Sequence, residues 1–245
     1  MKKVLKKILN YFSVIIFYLI PEVFRSRVTK SKLQEKLENH LTEETYNNFL
    51  EHFKKSLLLK SKIDLRKYSI EKAIEDNDEN EYLFLEFGCY KGTSTNFFST
   101  YVTKLYTFDS FEGLKDDWVG REYSKGHFNL NKKIPNLNSN VEPIVGWIEN
   151  TLENFLKKHN SKIKFVHMDL DTYNSSKFTL KKIKPYLTNN SYILFDDFFN
   201  YIGWESGEYK ALNEVFDKNE FEYLAFNLGE HNQSLFGSNN CLIKI

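Results

Sequence analysis

Apolar and polar positions follow two rhythms along this chain, and the change between them falls near residue 80. From Ser31 to about Asp76 apolar residues recur at helical spacing between many Lys and Glu, as in LQEKLENHLTEETYNNFLEHFKKSLLL, which predicts a helical N-terminal extension. The acidic, polar run EDNDENE (75–81) ends it. Beyond that break, short apolar runs alternate with amphipathic stretches, the order expected of βαβ units and a mostly parallel sheet. The predicted strands are YLFLEF (82–87), KLYTFD (104–109), VEPIVG (141–146), KFVHMD (164–169), YILFDD (192–197), FEYLAF (221–226) and NCLIKI (240–245). The fold class is therefore α/β, a mostly parallel seven-stranded sheet over 77–245 preceded by a helical extension over 1–76. One connection stands out. Residues 111–140 are polar, include Gly120 and Gly126, and form a segment too long for an ordinary loop, which predicts a lid over a site.

Composition narrows the picture. With 245 residues, 41% of them apolar and 16% aromatic, the chain has enough material for a full core, so its Lys- and Asn-rich stretches read as solvated surface. The 34 basic and 33 acidic residues nearly cancel, leaving no global field to favour nucleic acid. Cys89 and Cys241 lie far apart and outside any ligand-type spacing, which argues against a disulfide framework or a zinc site and for a reducing, cytoplasmic setting. At the N-terminus, Lys2, Lys3, Lys6 and Lys7 precede the apolar run ILNYFSVIIFYLI (8–20), which is short for a membrane span. Two readings lead for residues 4–20, a helix packed in the core or in a homo-oligomer and a helix lying on the inner membrane face with peripheral contact through residues 1–24; secretion comes third, since no small-residue cleavage site follows.

In open α/β sheets ligands bind at the carboxyl ends of the strands, so the residues just after each apolar run carry the chemistry. The first such end is EFGCYKGTS, where Glu86 closes a strand and Gly88 and Gly92 bracket a turn that opens a helix at Thr93. Its glycine spacing is not G-x-G-x-x-G, which weakens dinucleotide binding. About 20 residues on, Asp109 ends the next strand, where a carboxylate can accept both ribose hydroxyls of a nucleoside. Two further ends carry HMDLDTY, with Asp169 and Asp171, and LFDDFF, with Asp196 and Asp197. Four carboxylates on neighbouring strands repel one another unless a cation or protons sit among them, and Mg²⁺ suits such an oxygen shell. Each aspartate alone also reads as a helix cap.

The succession EFGCYKGTS, TFDSFEGL, VGWIENTLENF, HMDLDTYNSS and FDDF resembles the family of macrocin and mycinamicin sugar O-methyltransferases, in the same order across residues 82 to about 216. The resemblance implies a class I, Rossmann-like methyltransferase with S-adenosylmethionine as cofactor and a divalent metal as helper. Carried onto this chain, it implies Glu86, Gly88, Gly92, Thr93, Asp109, Ser110, Gly146 and Trp147 around the cofactor. It further implies Asp169, Asp196 and Asp197 as metal ligands and Asp171 as general base, the split between Asp169 and Asp171 remaining open. Trp118, His127, Tyr173 and Trp204 are candidate contacts for the acceptor, by stacking on a sugar ring or closing over it. The expected acceptor is a sugar hydroxyl on a glycan, a nucleotide sugar or a glycosylated metabolite. The competing readings are a catechol-like phenol acceptor and a membrane-attached cofactor-binding protein without turnover.

Overall fold

The computed structural model describes residues 11–13, 19, 31–75, 81–229 and 238–245. The expected membrane contact through residues 1–24 falls almost wholly outside them; no helix of the described residues is long and apolar enough to cross a membrane. Two compact units divide the chain, Met1–Glu43 and Glu44–Ile245. In the first, helix α1 (Lys32–Phe53) begins with a reciprocal cap: the Gln34 amide donates to Ser31 Oγ, and the Ser31 amide donates to Gln34 Oε1.

The second unit is built on a sheet of eight strands, β1 (Leu57–Leu59), β2 (Tyr82–Phe87), β3 (Leu105–Asp109), β4 (Val141–Val145), β5 (Lys162–Met168), β6 (Tyr192–Phe199), β7 (Glu222–Asn227) and β8 (Asn239–Lys244). Their order is β1-β7-β8-β6-β5-β2-β3-β4, parallel except where β8 runs against β6 and β7. All seven strands expected from the sequence are present. The eighth, β1, corrects the seven-stranded expectation: Leu57 to Leu59 pair in parallel with Ala225 to Asn227 at the sheet edge. A run of three leucines fits a helix or a strand equally well by periodicity, so a helical reading carried straight through it.

Helices α2 (Lys62–Ile74), α3 (Thr93–Ser99), α4 (Ile148–His159), α5 (Tyr173–Ile183) and α6 (Glu208–Val215) fill most of the connections. The α2 face of Leu65, Ile70 and Ala73 is wholly buried in one core cluster with Phe84, Phe165, Leu194 and Leu242 of the central strands. Parallel strands covered on both faces read as continuous apolar runs, and β6 is buried at all eight positions, Asp196 and Asp197 included. The segment 111–140 has neither helix nor strand, yet it is held down by buried Phe111, Leu114 and Trp118.

Backbone contacts decide which glycines matter. Gly88 sits at φ +92, and a Cβ there would meet the Asp169 carbonyl oxygen at 1.8 Å. Gly126 has a similar φ of +83 but open space around it. Gly88→Ala is therefore expected to destabilise the fold by about 4 kcal/mol or more, whereas Gly126→Ala should cost only the left-handed penalty of about 1–2 kcal/mol. Urea unfolding of the two variants checks this; equal losses would show that the β2 turn can yield.

Candidate active site

A cavity of about 340 Å³ opens along the carboxyl ends of the parallel strands. In sheet order it runs from Gly146 and Trp147 after β4, past Asp109 and Ser110 at β3 and Gly88 at β2, to Asp169 and Asp171 after β5 and Asp196 and Asp197 on β6. The 111–140 segment covers it with Leu114, Trp118, Arg121, Tyr123 and Phe128. The loop after β2 is shaped by Asp109. One carboxylate oxygen accepts the amides of Cys89 (2.9 Å) and Tyr90 (2.8 Å), and the other accepts that of Phe111 (2.7 Å). A carboxylate has about four acceptor sites, so one remains for a ligand hydroxyl.

Some sequence-predicted cofactor residues lie elsewhere. Glu86 is fully buried and accepts from Thr95, from Thr107 (2.9 Å) and from His167 (3.0 Å), behind the cavity wall. Gly92 is a packing glycine, since a Cβ there would meet the Leu137 side chain at 2.6 Å. Thr93 opens α3 with its side chain exposed, and neither residue lines the cavity. Spacing identifies the turn but not which of its residues face the ligand.

The four aspartates come together, but not equivalently. Adjacent residues of a strand point to opposite sides, and Asp196 and Asp197 have different surroundings. Asp196 Oδ2 accepts from Lys62 Nζ at 2.6 Å, while Oδ1 accepts from Arg66 at 2.9 Å, Asn240 at 3.0 Å and His167 Nε2 at 3.3 Å. Burial alone would raise its pKa; Lys62, Arg66 and His167 together hold it well below the usual carboxylate range. Burial likewise works against the charge on His167, yet its bonds to Asp196 and Glu86 raise its pKa to about 9, making it an imidazolium that donates from both nitrogens.

Asp169, Asp171 and Asp197 form the other group, each offering an oxygen within 4.8 Å of the others. Asp197 accepts from Ser238, and Arg121 stands 3.9 Å away. Burial first, then repulsion from neighbouring carboxylates (chiefly Asp196 for Asp169 and Asp197, and Asp197 for Asp171), raises all three pKa values, that of Asp169 to about 8. Asp171 occupies the left-handed region at φ +61, which Asp tolerates better than most residues and which turns it toward this group. Behind them Glu208 is fully buried, accepts the Asp197 amide at 3.2 Å and leaves Oε1 unpartnered.

Of the candidate acceptor contacts, Trp118 lines this cavity and a second, smaller one beside it, and Tyr173 lines only the second. Two expectations are corrected. Trp204 is buried against Phe49 and Tyr209, with ring centroids 5.6 and 4.8 Å apart, and reaches neither cavity. His127 is exposed, stacks on Tyr123 at 4.4 Å and lines neither. Sequence reading missed Lys62, Arg66, Arg121 and Glu208, each separated in sequence from the motif it serves, and His167, which lies inside the HMDLDTY motif itself. The one available signal was His167 inside an otherwise apolar strand.

Comparison with known proteins agrees with this geometry. Residues 85–198, from β2 into β6, match the family model of the methyltransferase domain. No curated protein matches the chain. Among solved structures, CalS11, a calicheamicin methyltransferase, is similar over 88% of this chain and 94% of its own, with a TM-score of 0.58 at 17% identity. The O-methyltransferase NovP is similar over 74% of this chain and 78% of its own, with a TM-score of 0.54 at 17% identity. The fold is that of a class I methyltransferase. The matched residues 85–198 supply the whole lining of the first cavity except Lys62 and Ser238.

The ion pairs around Asp196 lead to a test. Removing one partner of a buried pair leaves an uncompensated charge, so Arg66→Met should cost about 3–5 kcal/mol. Adding Asp196→Asn should restore part of that loss. A double-mutant cycle by urea unfolding would show strong coupling; additive losses would mean that the two residues do not share a bond in solution.

Proposed function

We propose that the protein transfers the methyl group of S-adenosylmethionine to a sugar hydroxyl, assisted by a divalent cation. The observation that carries this is charge. Around the end of the cavity six carboxyl groups (Glu86, Asp169, Asp171, Asp196, Asp197 and Glu208) face four cations (Lys62, Arg66, Arg121 and His167), an excess of two negative charges when all are ionised. Without a further cation, the raised pKa values mean that this excess is met by protons.

A divalent ion fits the open group better than the paired one. Asp169 and Asp197 are the residues that would hold it, and Asp196, with both oxygens committed to Lys62, Arg66, His167 and Asn240, serves as their charge-paired neighbour. When bound, such an ion lowers the pKa of a coordinated hydroxyl and fixes its position. Asp171, beside the pair at the cavity wall, takes the hydroxyl proton as the new carbon–oxygen bond forms and the methyl–sulfur bond breaks. Asp109 accepts one ribose hydroxyl at its remaining acceptor position, and Trp147, which lines the same cavity after β4, stands by the adenine.

The sugar assignment is supported by the sequence resemblance to macrocin and mycinamicin O-methyltransferases. A second structure of CalS11 agrees: described as a TDP-rhamnose 3'-O-methyltransferase, it covers 88% of this chain and 95% of its own, with a TM-score of 0.51 at 16% identity. Calorimetric titration tests the reading. S-adenosylhomocysteine should bind with a micromolar Kd, and Asp197→Asn should weaken Mg²⁺ binding by about tenfold or more while leaving that Kd unchanged. Failure of S-adenosylhomocysteine to bind would remove the cofactor assignment; unchanged Mg²⁺ affinity in the variant would remove Asp197 from the metal site.

A further inference from the structure

The second cavity, of about 240 Å³, adjoins the first and shares Trp118, Asp171 and Thr172 with it. At roughly 30 Å³ per liquid water, it has room for about eight molecules, well beyond a packing gap. Two buried donors in its wall lack acceptors. Among the described residues the Tyr201 hydroxyl and the Trp118 indole N–H, both buried, have no hydrogen-bond acceptor. An unpaired buried donor costs about 1–3 kcal/mol, which a ligand oxygen brought within reach of either group would recover.

The rest of the lining says what kind of molecule brings that oxygen. Asp116 and Asp117 offer carboxylate acceptors, and the Lys210 ammonium lies over the Tyr173 ring at 4.6 Å. Donors and acceptors interleaved with aromatic faces suit a ring of hydroxyls, each of which both donates and accepts. Two carboxylates against one ammonium, with Asp171 adding a third acid, disfavour a diphosphate.

We infer that the second cavity is a subsite for a neutral sugar ring linked to the one that is methylated, so that the acceptor is a glycan or glycoside of at least two rings. This rests on the sugar-methylation reading and decides within it against a nucleoside-diphosphate sugar. The reacting ring occupies the first cavity beside Asp171, and the linkage passes the shared residues Asp171 and Thr172.

The experiment uses the full chain saturated with S-adenosylhomocysteine and a panel of neutral disaccharides (maltose, cellobiose, lactose and a rhamnosyl-rhamnose), with the corresponding monosaccharides and TDP-rhamnose beside them. Crystals soaked in each probe should show a sugar ring in the second cavity. In fluorescence titration at least one disaccharide should bind about tenfold tighter than its monosaccharide. Tyr201→Phe should weaken that disaccharide by about 3- to 10-fold and leave S-adenosylhomocysteine affinity unchanged. Only water in the second cavity after every soak, a diphosphate seated there, or a Tyr201→Phe variant that binds the disaccharide as before would overturn the inference. Homocysteine-cofactor binding in the same samples separates the two claims: bound cofactor with a sugar-free second cavity sinks the subsite alone, and absent cofactor binding sinks the methyltransfer reading on which it stands.

Discussion

The arrangement of the site depends on one buried chain of charges, Glu86–His167–Asp196, closed at its far end by Lys62 and Arg66. In the sheet β5 lies between β2 and β6, and His167, in register with Glu86, reaches across β5 to a carboxylate on each neighbouring strand. An imidazole donating from both nitrogens ties three strands at the level where their carboxyl ends open into the cavity. Burying such charges is costly unless every partner is present. The chain therefore works as a unit, in which each member's ionisation depends on the others.

That unit explains why two adjacent aspartates on one strand differ. Asp196 faces the cations and is held ionised, whereas Asp197 faces Asp169 and Asp171 and shares their tendency to hold protons. Neutralising one carboxylate with protein cations confines the remaining negative charge to a small region beside the cavity. A site with four equivalent carboxylates would offer an ion several competing positions. Here the protein's own cations set the charge pattern, which is the preorganisation an electrostatic site needs.

Much of the fold was legible from the chain because its strands are buried on both faces and read as unbroken apolar runs. The strand that escaped, Leu57–Leu59, is three residues long and sits at an edge, where neither length nor alternation marks it. In the site, Asp109, Gly146, Trp147 and the four aspartates were legible because strand ends in an open parallel sheet converge by topology alone. Glu86 and Gly92 show the limit of that logic. Both flank the right turn, yet one points into the interior and the other packs on Leu137, and side-chain direction is not encoded in spacing. Trp204 and His127 failed for a plainer reason: aromatic residues in an aromatic-rich chain pack against each other, as Trp204 does on Phe49 and His127 on Tyr123.

Lys62 and Arg66 lie outside residues 85–198, the stretch that matches the methyltransferase domain. They belong to α2, whose apolar face of Leu65, Ile70 and Ala73 is sealed into the core against the central strands. The hydrophobic burial of that face brings the polar face to the sheet end, so packing and charge placement are one event. A matched domain without α2 would leave Asp196 and Glu86 with His167 as their only cation among the described residues and would expose the apolar surfaces of Phe84 and Leu194. The catalytic unit in the physical sense therefore begins upstream of the recognisable motifs, at the helix whose first residue, Lys62, is also a wall of the active-site cavity.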